Sequence, residues 1–102
     1  MIDLLKCKNI TEALSSSNTQ EFKDLMEIFK NEVENAESFG LTISQMTKKY
    51  PHISYEVWHA VGGYCNSKKL ISHEWCLEKE DFRSKYFAIK FKTQETTIKI
   101  KD

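Results

Sequence analysis

Apolar positions recur with a helical spacing in the first two thirds of the chain and with a two-residue spacing afterwards. Phe22, Leu25, Met26, Phe29, Val33 and Ala36 fall on one stripe of a helix, with acidic residues opposite. Asn18 and Glu21 have the spacing of a capping box, and Gly40 supplies a stop, so the pattern predicts a helix over 20–38. Before it, Ile10, Ala13 and Leu14 form the face of a short helix capped by Asn9, followed by a serine-rich loop. Thr42 and Gln45 make a second capping box, opening a short helix through Ile43 and Met46. That helix must stop at Tyr50, because Pro51 disfavours helical conformation in the residue before it. Ser54 then caps a third core helix whose buried stripe is Val57, Ala60, Val61 and Tyr64, the Tyr64 hydroxyl reaching the surface. Trp58 and Gly62 fall off that stripe, and Trp58 is expected to pack against the first helix or a partner rather than on a base. Ile71, Trp75 and Leu77 alternate with polar residues, as do Phe87, Ile89 and Phe91 with Ala88, Lys90 and Lys92. A charged turn from Glu78 to Arg83 separates them, which predicts a β-hairpin with Trp75 and Phe87 in its core. Residues 96–101 alternate again and suit a third strand.

The order helix, helix, turn, helix, hairpin resembles the winged-helix branch of the helix-turn-helix superfamily. Leu41–Met46 looks like the opening of its second helix and Ser54–Tyr64 like its recognition helix. Lys69-Leu70-Ile71 looks like the turn into the first wing strand, and Arg83–Phe87 like the second strand. The resemblance covers roughly residues 20–92. It implies an α+β domain with an extension at 1–19, a first core helix at 20–38, a helix-turn-helix at 42–69, a wing at 70–92 and a strand or tail at 93–102.

With 102 residues the chain has the size of one domain, and its 15 basic and 15 acidic residues cancel. The zero hides an uneven distribution: residues 1–41 carry 4 basic and 8 acidic groups, whereas residues 42–92 carry 9 and 5. The helix-turn-helix and wing are thus +4 and the first segment −4, a polarity suited to a polyanion on one face. No run approaches the roughly 18 apolar residues of a membrane span, and no secretory leader is visible. The three cysteines are an odd number at no framework spacing, which fits reduced thiols and a cytoplasmic location.

By the resemblance, the third helix enters the major groove and the wing touches backbone or minor groove. Ser54, Tyr55, His59 and Asn66 would then face the DNA. Lys48 and Lys49 would flank it from one end and Lys68 and Lys69 from the other. Arg83, the only arginine, would sit at or beside the wing tip with Lys79 and Lys85 near it. Glu56 opposes phosphate on the same helix. Gly62-Gly63 implies either a close backbone approach or a bent or short helix, since each glycine costs about 1 kcal/mol in a helix interior.

His59, Cys65, His73 and Cys76 raise a metal reading, but His73 and Cys76 would point to opposite faces of a strand and no second closely spaced pair accompanies them. No nucleotide loop, hydrolase elbow or zinc-protease motif occurs, so neither a cofactor nor catalysis is expected. The expected function is duplex DNA binding by a transcription regulator, with a homodimer through residues 1–19, the acidic helix or the tail. The alternative is a winged-helix protein-binding module, such as an adaptor or inhibitor.

Overall fold

A computed structural model describes residues 3–78 and 80–91. Four helices precede a two-stranded antiparallel sheet: α1 Ile10–Leu14, α2 Gln20–Ala36, α3 Ile43–Lys49, α4 Tyr55–Ser67, β1 Ser72–Glu78 and β2 Asp81–Phe87. The third strand expected at 96–101 and the tail at 93–102 lie outside the described residues.

Each helix starts where a side chain can take up an opening amide. Asn9 accepts from the Glu12 N–H at the start of α1. At α3 both halves of the Thr42–Gln45 capping box are made, at 3.1 and 2.8 Å. The cap of α2 is Thr19 rather than the expected Asn18. Its hydroxyl accepts from the Phe22 N–H at 3.2 Å and donates to the Ser16 carbonyl at 2.7 Å, which places Asn18 in the preceding turn. α2 ends at Ala36, and a 3-10 turn over Glu37–Phe39 carries the chain to Gly40. There φ is +75°, and a Cβ would stand 2.6 Å from the Phe87 ring, so this position requires glycine for both conformation and space.

α4 is the centre of the body and packs against α1, α2 and α3. Helices on three sides widen its buried arc beyond one stripe, and Trp58 packs on the first core helix as expected. Trp58 and Gly62 lie inside, with Val57, Ala60, Val61 and Cys65, whereas Tyr64 is only half-buried. Trp58 packs against Phe29 of α2 and Tyr50, at ring separations of 6.0 and 5.5 Å. At Gly62 the Phe29 ring comes so near that a Cβ would lie 2.5 Å from its edge, which is the close approach the glycine pair implied; at Gly63 the space is open. Phe22, Leu25, Phe29 and Val33 of α2 complete the core as expected, with Met26 and Ala36 at its margin.

The hairpin is longer and its turn tighter than the charge pattern indicated. Asp81–Arg83, expected in the turn, are strand residues, and Glu80 adopts the left-handed conformation (φ 72°) that a short hairpin connection needs. The register pairs Ser72 with Phe87, Trp75 with Ser84, Cys76 with Arg83 and Leu77 with Phe82. Charged residues hid the strand because one of its faces is polar throughout: Asp81, Arg83 and Lys85 alternate with Phe82, Ser84 and Tyr86. β2 stops at Phe87, and the expected continuation through Ile89 and Phe91 is a 3-10 turn. Phe87 is buried, but Trp75 is 62% exposed and does not belong to a sheet core, because the hairpin runs past the helical body there.

One strand-like pairing carries no sequence pattern. Leu41, between α2 and α3, exchanges two backbone hydrogen bonds with Tyr86 at 2.9 and 2.8 Å. The sheet order is therefore Leu41, β2, β1, which ties the wing to the connection between the first two core helices. This order of four helices followed by an antiparallel hairpin is an α+β architecture consistent with a winged helix.

Candidate nucleic-acid interface

The outward arc of α4 presents Tyr55, His59, Gly63, Asn66 and Ser67, all exposed and following one another along one side of the helix. Helix geometry makes this arc about 20 Å long. Its N-terminal end opens into a groove of about 410 Å³ where Tyr55 and His59 face Trp75, Phe82 and Arg83 of the wing and Thr42 and Ser44 of α3. A second groove, of about 420 Å³, shares Thr42, Ser44, Asp81 and Arg83 with the first and adds Gln45, Lys48 and Lys85. The two lie on either side of the seam between α3 and β2. Around them stand the cations Lys48, Arg83 and Lys85, the carboxylate of Asp81, and neutral hydrogen-bonding groups from α3.

The fold thus brings five of the expected DNA-facing residues together: Lys48, Tyr55, His59, Arg83 and Lys85. Arg83 reaches the groove from within β2, opposite Cys76, and not from the wing tip. Lys85 also donates to the Phe39 carbonyl at 3.1 Å.

The others are placed differently. Ser54 is occupied by the fold itself: its hydroxyl accepts from the Val57 N–H and donates to the Cys7 carbonyl, and its own N–H donates to the Leu5 carbonyl. Lys49 turns towards α2, bridging Glu32 at 2.9 Å. Lys68 lies over the Tyr64 ring at 5.3 Å, on the side of α4 facing α2. Lys69 takes a left-handed conformation (φ 63°) as the chain leaves α4, next to exposed Asn66 at the far end of the arc. Lys79 lies outside the described residues.

Sequence reasoning missed Thr42, Ser44 and Gln45 as groove residues, because their capping pattern already accounted for them. It also missed His73, which stacks on Tyr86 (ring centroids 4.5 Å apart, 15° between planes) and hydrogen-bonds the Ser84 hydroxyl at the groove floor. Burial, and secondarily the nearby His59, hold the His73 imidazole below its ordinary pKa of 6.5. No signal in the linear pattern brings residues 73, 84 and 86 together; the antiparallel register does.

Among the described residues no group of three or more His, Cys, Asp or Glu is placed to hold a metal ion, and no helix is long and apolar enough to cross a membrane. Compared with models of known protein families, with characterised proteins and with solved structures, the chain matches none.

Proposed function

We propose that the chain is a winged-helix DNA-binding protein acting as a transcription regulator, without catalytic activity. The observation that carries this reading is the convergence of Lys48 from α3, Tyr55 and His59 from α4, and Arg83 from the wing around one pair of contiguous grooves. These are the helix-turn-helix and wing positions that would meet one face of a duplex. Lysine and arginine would pair with phosphates, while Tyr55, His59 and Asn66 offer hydrogen-bonding groups to base edges along the exposed arc of α4. Gly63 leaves the middle of that arc without a side chain, so a duplex could approach the helix backbone there.

Fluorescence anisotropy with duplex DNA at low salt tests the proposal. Affinity should fall as salt rises, and Lys48→Ala together with Arg83→Ala should flatten that dependence by about 0.9 in slope for each phosphate no longer neutralised. Absence of duplex binding at low salt overturns the reading.

A protein-binding module is the second reading, favoured by how the expected cations are engaged. Lys49 is bridged to Glu32, Lys85 to a backbone carbonyl, and Glu56 stands beside Tyr55 at the start of α4. Capture of a specific cellular protein by a chain that ignores DNA would support it.

A further inference from the structure

One face of the hairpin is largely aromatic. The register sets His73 opposite Tyr86, Trp75 opposite Ser84 and Leu77 opposite Phe82, and side chains opposite one another share a face. Exposure rises along that face towards the turn. Tyr86 is buried and stacks on His73 at 4.5 Å, with 15° between the rings. Trp75 lies 6.2 Å from His73 but is tilted by 49°, and it is 62% exposed, while Phe82 is 68% exposed. Across the groove, Tyr55 and His59 of α4 form a second aromatic wall, their rings 6.1 Å apart. The space between the walls, about 410 Å³, falls within the roughly 300–1,000 Å³ of sites that hold a small ligand.

We infer that this slot takes an unpaired DNA base, which rests on the DNA-binding reading and narrows its target to duplexes that carry an open base. A fully paired duplex offers a protein phosphates and base edges, because the faces of each base are covered by its neighbours in the stack. Phosphates suit Lys48 and Arg83, but a fully paired duplex leaves the ring faces of Trp75 and Phe82 without a flat partner. An extrahelical base supplies one, since its π surface stacks on aromatic side chains whatever its identity. The cations stand where the phosphates on either side of such a base would lie. Arg83 borders this groove and the contiguous one, which Lys48 and Lys85 line. Thr42 and Ser44 of α3, with His59, provide hydrogen-bonding groups for the edge of the base. Drawing a base out of an intact stack is costly, and least so where the base is already unpaired. That difference sets the preference for an open base over a closed pair.

Fluorescence anisotropy of the full chain at one low salt concentration provides the test, with three forms of one DNA. These are the paired duplex, the same duplex with a single-nucleotide bulge, and that bulge with an abasic residue. The bulged duplex should bind about tenfold more tightly than the paired one. The abasic bulge keeps the phosphates and the local flexibility, yet should lose that gain. Trp75→Leu should abolish the gain and Trp75→Phe, which keeps an aromatic ring, should retain most of it. Phe82→Ala on the same wall should reduce it, and Lys48→Ala should weaken binding of all three DNAs alike. Trp75 and Phe82 are exposed, so melting profiles matching the wild type separate lost stacking from lost fold. A fluorescent adenine analogue at the bulge should be quenched when the protein binds. Equal affinity for the three DNAs, a gain that the abasic bulge keeps, or a gain that Trp75→Leu and Trp75→Phe alter alike overturns the inference and leaves DNA binding standing. Absence of binding to any of the three overturns both.

Discussion

Gly62 and Gly63 are neighbours in one helix, yet the structure gives them opposite roles. A methyl group at 62 would meet the Phe29 ring at 2.5 Å and the Tyr86 ring at 3.2 Å; at 63 it would meet nothing within 4 Å. Gly62→Ala should therefore destabilise the fold by about 1–3 kcal/mol through overpacking. Gly63→Ala should stabilise it by about 0.5–1 kcal/mol, as glycine-to-alanine changes do in helix interiors. Urea unfolding of the two variants checks both signs. If the arc of α4 lies on DNA, Gly63→Ala should also weaken duplex binding, so that stability and affinity move in opposite directions. The cysteines divide in a similar way. Cys65 is buried, and desolvation pushes its thiol up to about 11, whereas Cys76 is only partly covered. A thiol reagent at pH 8 should modify Cys76 in the native protein and leave Cys65 until unfolding, a difference that mass spectrometry of digested protein would read directly.

At the scale of elements, the Glu32 carboxylate of α2 ties down the C-terminal end of α3. Glu32 accepts from Lys49 at 2.9 Å and from the Tyr50 hydroxyl at 2.7 Å. Burial alone would raise its pKa, but these two hydrogen bonds and the lysine charge outweigh it and bring it below the ordinary 4.5. The link therefore stabilises the fold at pH values above that ordinary range, and its contribution disappears as pH falls through the lower native value. Tyr50→Phe should cost about 1 kcal/mol at neutral pH, with the cost vanishing in acid. Comparing chemical denaturation of the variant and the wild type at pH 7 and pH 3 checks this. His73 contributes in the same direction at the base of the hairpin. Its lowered pKa means that stability is complete above 6.5 and declines as the pH drops below that value.

Helices were legible in the sequence where burial follows one stripe and a cap has a fixed spacing. Thr42–Gln45 and the Phe22–Val33 stripe of α2 show this. Trp58 was legible as packed against the first core helix from its residue type, but the full width of the buried arc of α4 was not, because α4 is surrounded on three sides by neighbours that periodicity does not describe. The early strand residues Asp81–Arg83 were hidden by charges that sit on the solvent face of a projecting hairpin. Leu41 was hidden for another reason: a single bridged pair has no period to detect. For the candidate interface, residue types were readable, but the grouping of Lys48 with Arg83, and the diversion of Lys49 and Lys68 towards α2, are set by tertiary packing.

For the molecule as a whole, the excess charge of +4 over residues 42–92 does not form a uniform basic face. Glu32 takes up Lys49, Lys68 lies over Tyr64 beside α2, and the α3–β2 seam keeps three cations with one carboxylate. A shallow salt dependence, reflecting a few phosphates rather than six to ten, is the corresponding expectation. Measured between 50 and 200 mM salt, duplex affinity should fall by far less than about a thousandfold.

Tyr86 sits where four parts of the fold meet: it bonds Leu41, lies 5.3 Å from the Phe29 ring, stacks on His73 and borders Gly62. A ribosome delivers this chain from its N-terminus, so α1 to α4 are synthesised before the residue that closes them together. Until Tyr86 emerges, the Phe29 side of the helical body stays open to water and to other nascent chains. Chaperone engagement during synthesis should accordingly persist through the helix-turn-helix and end only once β2 has been made.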